Sequence, residues 1–272
     1  MDNQELIKKA AWVRMEVLES VVSGKRGHIG GTYSCVDLLV GLYYGKILRF
    51  NSKNPQWKDR DRFILSKGHA SLALFAIFKD LGIVSPELYE TYGQNGGLGG
   101  QVDISLPGIE TNTGSLGHSV GIAAGMALAA KMDSKGYCAY TLIGDAELFE
   151  GSVWEALMFG SQHKLNNLVV IIDRNRLSAT EAIDDDNSVF INFGEKLKLF
   201  GWNYLELNGH DMEEILTVLK TVRMSDKPSI VMANTVKGKG VSFMENKANW
   251  HHGIPTEEQI KMAREELRAQ WK

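Results

Sequence analysis

Gly144-Asp145-Ala146 ends the apolar run Tyr137-Cys-Ala-Tyr-Thr-Leu-Ile143, and Asp173-Arg174-Asn175 ends a second run that begins Leu168-Val-Val-Ile-Ile. Both runs predict buried strands, and the helical pattern between them, residues 150–164, predicts a crossover helix. Strands joined in this way are parallel, so both polar tips should emerge at the same edge of one sheet. That edge is where α/β folds bind their ligands.

The two tips together offer oxygen ligands for a hard cation. Asp145 supplies a carboxylate, Asn175 an amide oxygen and Leu177 a backbone carbonyl, which suit Mg²⁺ or another divalent cation such as Ca²⁺ or Mn²⁺. Asn175 follows Asp145 by 30 residues, a spacing that resembles the thiamine diphosphate signature of Gly-Asp-Gly and a later asparagine. Gly-Asp after a strand is also typical of an ordinary turn, so the motif needs support from the rest of the chain.

The composition is that of an ordinary globular protein of 272 residues, enough for one large α/β domain. A net charge of −3, with acids and bases mixed along the chain, argues against nucleic-acid binding and membrane binding. The amino terminus lacks a targeting pattern, and the apolar stretch at residues 121–130 is too short to span a bilayer, so we expect a cytoplasmic protein. Cys35 and Cys138 lie outside any CxxC pattern, which predicts buried, reduced thiols.

Strand and helix patterns alternate and predict an α/β fold with a doubly wound, mostly parallel sheet flanked by helices. Ser34, with Asp37 three residues later, resembles a capping box and predicts a helix that runs to Leu48. The Gly-rich residues 93–121 predict a long loop, and loops of this length are usually functional or disordered. Further strands are expected at 63–65, 202–207 and 230–236, and further helices at 6–21, 72–81, 120–131, 212–224 and from Thr256.

Several segments occur in the order, and at nearly the spacing, of one known family. They are Gly27-His28 with Asp37-Leu38-Leu39, Leu65-Ser66-Lys67-Gly68-His69-Ala70-Ser71, Glu110-Thr-Asn-Thr-Gly-Ser-Leu-Gly117, the Gly144-Asp145 to Asn175 pair, and Trp250-His251-His252-Gly253. Along essentially its full length the chain resembles the diphosphate-binding half of transketolase. The resemblance implies a single diphosphate-binding domain over residues 1–272 and a pyrimidine-binding domain on a separate chain. It further implies a heterotetramer (α2β2) that moves a two-carbon ketol unit between sugar phosphates, with thiamine diphosphate and Mg²⁺ as cofactors.

The same resemblance assigns roles to individual residues. The implied metal ligands are Asp145, Asn175 and Leu177, and the implied cofactor-binding residues are His69, Gly114, Ser115, Leu116, Gly144, Ala146, Glu150, Asn175 and His251. The implied catalytic residues are His28, His69 and His251, because imidazoles that titrate near neutral pH suit proton transfer on sugar hydroxyls. Either His251 or His252 matches the family's late histidine, and we take His251 as the match.

Other polar residues have simpler explanations. Glu150 matches an acid that joins a carboxylate network at the family's dimer interface, and Glu155 is a second candidate, but acids in the first turn of a helix are also favoured by the helix dipole. Asp184-Asp185-Asp186 is typical of a solvated acidic turn. His163 and His210 are expected to be solvated or packed in the core.

The chain departs from the family at one donor-binding histidine, where Gln101 stands instead. This change argues against xylulose 5-phosphate as donor and allows a branched or sulfonated sugar. Two alternatives remain open. One is the α subunit of a 2-oxoacid dehydrogenase or a deoxyxylulose-phosphate-type synthase, and the other is a non-catalytic chain that binds the cofactor. The Leu-Ser-Lys-Gly-His segment favours transketolase, and intact Asp145, Asn175, His28 and His69 argue against a non-catalytic chain.

Overall fold

Five strands form the centre of the computed structural model, which describes residues 1–179 and 181–271. They are β1 (Arg62–Leu65), β2 (Ala139–Gly144), β3 (Leu168–Arg174), β4 (Asn203–Asn208) and β5 (Ser229–Asn234). The order across the sheet is β1-β2-β3-β5-β4, and every neighbouring pair is parallel. The predicted parallel α/β sheet is therefore confirmed.

Helices cover both faces of this sheet. In the described part of the chain they are α1 (Asn3–Gly24), α2 (Ile29–Ser34), α3 (Val36–Tyr44), α4 (Ser71–Asp80), α5 (Pro86–Glu90), α6 (Ser119–Met132), α7 (Gly151–Gln162), α8 (Phe193–Leu199), α9 (Met212–Val222) and α10 (Glu257–Ala269). Short 3₁₀ turns occupy Gly68–Ala70, Asp145–Phe149 and Ala248–His251. None of these helices is long and apolar enough to cross a membrane.

The hydrophobic core lies on both sides of the sheet because successive strand residues point to opposite faces. In β3, Val169 and Ile171 pack with the helices α1 to α4, α9 and α10. Leu168, Val170 and Ile172 pack with α6, α7 and α8 on the other face. Burial on both faces explains why the strands are continuous apolar runs in the sequence.

The carboxyl ends of the central strands lie level with one another. Gly144 at the end of β2 pairs with Asp173, and Arg174 at the end of β3 pairs with Asn234 at the end of β5. The loops that follow these strands therefore meet at one edge, as predicted from the two polar tips.

A helix is confirmed in the region predicted from Ser34 to Leu48, but it is α3 alone, Val36–Tyr44. The predicted cap at Ser34 is wrong, because α2 and α3 are separate and Cys35 lies between them without a side-chain cap. The Ser34 hydroxyl donates to the Asp173 carboxylate at 2.6 Å instead of capping a helix. Asp37 accepts from the Arg14 guanidinium and contacts His210 Nδ1 at 2.7 Å. Both side chains prefer charged or buried partners far away in sequence, because these bonds are stronger than a cap.

Both cysteines are free and buried, as expected from the sequence. Burial raises the pKa of the Cys35 thiol to about 12. The thiol therefore stays protonated at neutral pH, and the reactive thiolate is suppressed.

We predict that Asp37→Ala destabilises the chain because it leaves the almost fully buried Arg14 guanidinium without its anion. The expected loss in the free energy of unfolding is about 3–5 kcal/mol, measured by urea denaturation. Asp59→Ala is the control, because it removes an ion pair with Lys135 in which both side chains are about half exposed. It should cost less than about 1 kcal/mol. Equal losses in the two variants would contradict this account of the fold.

Candidate functional site

A cavity of about 140 Å³ lies at the carboxyl edge of the sheet. Its walls are Gly31, Lys67, His69, Leu116, Gly144, Asp145, Ala146, Glu147, Asn175, Leu177, Ser178, Ala179, Lys237 and His251. Most of the residues predicted from the sequence for the metal and the cofactor are thus brought together. A larger open groove of about 500 Å³ lies on the outer side of the loop after β3, near Arg176 and Tyr204. The smaller cavity is the candidate site, because the polar side chains converge there.

The Asp145 carboxylate faces this cavity and is held from three directions. Oδ1 accepts from Ala146 N at 2.9 Å, and Oδ2 accepts from Arg176 N at 2.7 Å and Arg174 Nη1 at 3.1 Å. Burial, followed by repulsion from Asp173, raises the pKa of the Asp145 carboxyl. A carboxylate has about four lone-pair positions, so one remains for a further ligand.

Asn175 and Leu177 reach the cavity through a sharp turn of the backbone. Arg176 between them has φ +61°, a left-handed conformation that is uncommon for residues other than glycine. Asn175 Oδ1 accepts from Leu177 N at 3.1 Å, and the Leu177 carbonyl accepts from Lys237 Nζ at 3.3 Å. The turn thus presents an amide oxygen and a carbonyl oxygen on the same side as Asp145.

Below these ligands, a buried ion pair joins Lys67 to Asp173. Burial alone would raise the pKa of the Asp173 carboxyl, but the Lys67 ammonium and hydrogen bonds hold that pKa below its ordinary value. Asp173 also accepts from the hydroxyls of Ser34 and Thr235 and from Asn175 Nδ2. The pair is therefore ionised, and it fixes the position of Asn175. The sequence motifs did not indicate this role for either residue.

Lys237 is a second cation in the cavity wall, and sequence reasoning missed it. The residue is 1 % exposed, and its Nζ donates to the Ser178 carbonyl at 2.7 Å and lies 3.1 Å from His251 Nδ1. Within residues 1–179 and 181–271, no carboxylate forms an ion pair with it. Burial, followed by repulsion from Lys67, lowers the pKa of Lys237 to about 8. A buried ammonium without a paired anion is a binding site for an anionic ligand.

The predicted catalytic histidines meet at the cavity. His69 and His251 line it, and the His28 ring lies at its rim, 5.1 Å from the His69 ring and 5.3 Å from the His251 ring between centroids. His252 is exposed and lies outside the cavity wall, with its ring 4.7 Å from that of His28. The structure thus separates the two late histidines, and His251 is the one that lines the cavity together with Asp145, Asn175 and Leu177.

Burial keeps these three imidazoles neutral. It lowers the pKa of His69 to about 2, with a further contribution from the Lys67 ammonium. Burial likewise lowers the pKa values of His28 and His251 to about 4, assisted by His252 and Lys237 respectively. At neutral pH each ring can therefore accept a proton at one nitrogen and donate one at the other.

Glu147 ties three loops of the site together and was also missed. Its carboxylate is 2 % exposed and accepts from the Ser66 hydroxyl, from Gly117 N at 2.8 Å and from Gly144 N at 2.9 Å. Gly117 has φ +82°, and a Cβ there would lie 2.6 Å from Glu150 Cβ, so only glycine fits this approach. The signal in the sequence was an acid placed directly within the turn that follows β2.

The remaining predicted residues lie outside the cavity or at its margin. Leu116 lines it, whereas Gly114 and Ser115 are exposed on the preceding loop. Glu150 occupies the N-cap position of α7 without a side-chain capping bond, is exposed and is not part of the cavity wall, so its role at a subunit interface stays a prediction. Gln101 packs against Gly114 and Gly68, next to His69.

Comparisons with known proteins agree with this geometry. A family model described as the thiamine diphosphate binding domain of transketolase matches residues 5–271. The chain is 44 % identical over 256 residues to one of the subunits of the apulose-4-phosphate transketolase of Phocaeicola vulgatus, covering 93 % of this chain and 90 % of the relative. It is 36 % identical over 266 residues to the 6-deoxy-6-sulfo-D-fructose transketolase subunit SqwG of a Clostridium species, covering 97 % and 96 %.

A crystal structure of transketolase from Campylobacter jejuni superimposes with a TM-score of 0.90 at 34 % identity. The superposition includes 98 % of this chain and 43 % of the Campylobacter chain. The family resemblance found in the sequence motifs is thereby confirmed along the whole fold.

We predict that His28, His69 and His251 remain neutral at pH 5.5, because their lowered pKa values lie well below that pH. An unperturbed imidazole, with a pKa of about 6.5, would be mostly protonated there. Long-range proton–nitrogen NMR spectra of the ring nitrogens check this, with single histidine-to-glutamine variants for assignment. Imidazolium signals from these three rings at pH 5.5 would refute the proposed electrostatics of the cavity.

Proposed function

The chain belongs to the transketolase family and carries its thiamine diphosphate-binding domain, and we propose that it is one of two kinds of subunit that together transfer a two-carbon ketol unit between sugar phosphates. The observation that carries the proposal is the buried Lys237 ammonium, which no carboxylate of the described residues pairs with and which lies next to the oxygen atoms of Asp145, Asn175 and Leu177. A diphosphate group would satisfy both features. Its negative charge would pair with the ammonium, and its oxygen atoms would bind a divalent cation together with the protein oxygen atoms.

The residues present fit a divalent cation. Among the described residues, no group of three or more His, Cys, Asp or Glu side chains could hold a metal ion, which argues against a zinc-type centre. Asp145, Asn175 and the Leu177 carbonyl form the mixed oxygen set that Mg²⁺ accepts alongside phosphate and water oxygens. Ca²⁺ and Mn²⁺ suit the same ligands. The cation would neutralise the diphosphate charge and fix its position.

The cavity also fits the diphosphate end of thiamine diphosphate. We assign its contacts to Lys237, His69 and His251, with Gly144 and Ala146 on the adjoining turn. When bound, this cofactor supplies the electron sink that allows a carbon–carbon bond beside a ketose carbonyl to break. Leu116, and Gly114 with Ser115 before it, lie where the loop would meet the remainder of the cofactor.

With pKa values of about 2 to 4, these three histidines are weak bases. In this proposal the charge of the bound diphosphate raises those pKa values, so that the histidines can move protons on the sugar hydroxyls. Lys237 can only donate a hydrogen bond, so His251 Nδ1 at 3.1 Å is the acceptor and the ring proton resides on Nε2. His251 therefore offers an N–H to an oxygen atom in the cavity. His28 and His69 lie next to it and can accept a hydroxyl proton at an unprotonated nitrogen.

A second chain must complete the site. Pockets for molecules of cofactor size enclose roughly 300–1,000 Å³, whereas this cavity encloses about 140 Å³. We therefore assign residues 1–272 to one diphosphate-binding domain and the pyrimidine half of the cofactor to a partner. Several relatives are named as individual subunits of a transketolase, which agrees with such a division. We propose two copies of each chain, an α2β2 assembly.

The surface of α6 and α7 supports contacts between chains. Ile122, Met158 and Phe159 are exposed there, and Phe149 lies exposed just before α7. Glycines and Ala156 form an open groove between the two helices, next to Gly117 of the cofactor loop. Apolar surface of this kind is typical of a protein interface.

Gln101 bears on the identity of the sugar. It stands against Gly68 and Gly114, where the family has a donor-binding histidine, and a neutral amide changes the hydrogen bonds offered to the donor. One relative is named for apulose 4-phosphate and another for 6-deoxy-6-sulfo-D-fructose. We propose a branched ketose phosphate or a sulfonated ketose as donor in preference to xylulose 5-phosphate.

We expect ketol transfer when this chain is co-expressed with a pyrimidine-domain partner, in the presence of thiamine diphosphate and Mg²⁺. The measurement is product formation from a panel of branched, sulfonated and ordinary ketoses with aldose phosphate acceptors. The purified chain alone should be inactive. Transfer by the chain alone would contradict the division of the site, and decarboxylation of a 2-oxoacid in place of transfer would favour the dehydrogenase or synthase class.

We also predict that Lys237→Met weakens thiamine diphosphate binding by about tenfold or more, because the buried positive charge that attracts the diphosphate is lost. Calorimetric titration with Mg²⁺ present measures the dissociation constant. The matched control is Lys239→Met, since Lys239 lies two residues away and faces Glu245 at 3.7 Å. A similar loss of affinity in both variants, or none in Lys237→Met, would count against the assigned anion site.

A further inference from the structure

Arg174 occupies an unusual place at the end of β3. It is 2 % exposed, and its guanidinium lies between the cavity and the segment 183–190. Nη1 donates to Asp145 Oδ2 at 3.1 Å. Nη2 donates to the Ile183 carbonyl at 3.1 Å and to Asp185 Oδ1 at 2.8 Å. One buried cation thus serves two carboxylates, one in the cavity and one outside it.

The guanidinium also anchors the far end of this segment. Its central carbon lies 3.6 Å from the centroid of the Phe190 ring, a cation–π contact on a nearly buried side chain. Ile183 is buried and its backbone N donates to Arg176 O at 2.9 Å. The segment therefore rests on Arg174 at both of its ends, while the residues in between are largely exposed.

Asp185 differs from its two acidic neighbours. Although its side chain is 69 % exposed, it pairs with Arg174 and, at 3.4 Å, with Arg176. The hydrogen bond from Arg174 lowers the pKa of its carboxyl. Asp184 and Asp186 form no ion pair within the described residues. The sequence predicted a solvated acidic turn at Asp184-Asp185-Asp186. The prediction is correct for exposure but missed that a buried guanidinium holds the Asp185 carboxylate.

We propose that Arg174 is a positioning residue that couples the cation site at Asp145 to the segment 183–190. A divalent cation on Asp145 neutralises that carboxylate and repels the guanidinium, so the Arg174–Asp185 pair becomes the stronger of its two ion pairs. Cation binding then tightens the segment 183–190, which borders the outer groove near Tyr204. By reciprocity, the Arg174–Asp185 pair favours cation binding. The inference rests on the proposed cation site.

Two isosteric substitutions in the acidic turn test the coupling. Asp185→Asn and Asp186→Asn each remove one negative charge from adjacent exposed positions, but only Asp185 contacts Arg174. With Mn²⁺ as the probe and thiamine diphosphate present, electron paramagnetic resonance measures the free cation. Asp185→Asn should weaken Mn²⁺ binding about fivefold or more, and Asp186→Asn less than twofold. Equal weakening of Mn²⁺ binding in both variants would show that the effect comes from the loss of any negative charge in the turn, and would overturn the proposal.

Hydrogen exchange of the amides in residues 183–190 supplies a second readout that does not depend on activity. In the unaltered chain, Mn²⁺ with thiamine diphosphate should slow exchange there, and Arg174→Lys, which keeps the charge but loses the forked geometry, should abolish the slowing. Binding of Mn²⁺ without any change in this segment overturns the coupling alone. Failure of the unaltered chain to bind Mn²⁺ overturns the proposed cation site itself, so the two failures are distinguishable.

Discussion

The buried ion pair between Lys67 and Asp173 is the contact on which the site depends. It joins the loop after β1 to the end of β3, and Asp173 also gathers the hydroxyls of Ser34 and Thr235. Four separate parts of the chain are thereby fixed at one point below the cavity. Loss of either partner would leave an unpaired buried charge, which is costly in a protein interior. The positions of the ligand oxygens above the pair depend on it.

The three buried cations of the site differ in whether a carboxylate neutralises them. Lys67 is neutralised by Asp173, and the Arg174 guanidinium is divided between Asp145 and Asp185. In the described part of the chain, the partners of the Lys237 ammonium are two carbonyl groups and an imidazole. Burial meanwhile keeps the histidines uncharged. The cavity can therefore receive an anion at Lys237 and a cation at Asp145 side by side. This pattern is what a diphosphate held through a divalent cation requires.

Local patterns in the sequence were sufficient for the sheet and for the two polar strand ends that meet at one edge, because apolar runs and strand-end motifs are properties of neighbouring residues. Local patterns were misleading at Ser34, which they predict to be a helix cap. The Ser34 hydroxyl instead donates to Asp173, which lies 139 residues away in the sequence. Lys237 and Glu147 were missed for the same reason, since burial and pairing depend on which loops meet. The family motif indicates Glu150 and gives no role to Glu147, yet of these two acids Glu147 is the one buried among the loops of the site.

We infer that this chain, without its partner, provides a cation-dependent site for a diphosphate group. Calorimetric titration of the purified chain with inorganic diphosphate, in the presence and in the absence of Mg²⁺, tests it most directly. We expect inorganic diphosphate to bind saturably, to require Mg²⁺ for binding and to be displaced by thiamine diphosphate. Absence of binding, or binding that is equally strong without the cation, would contradict it.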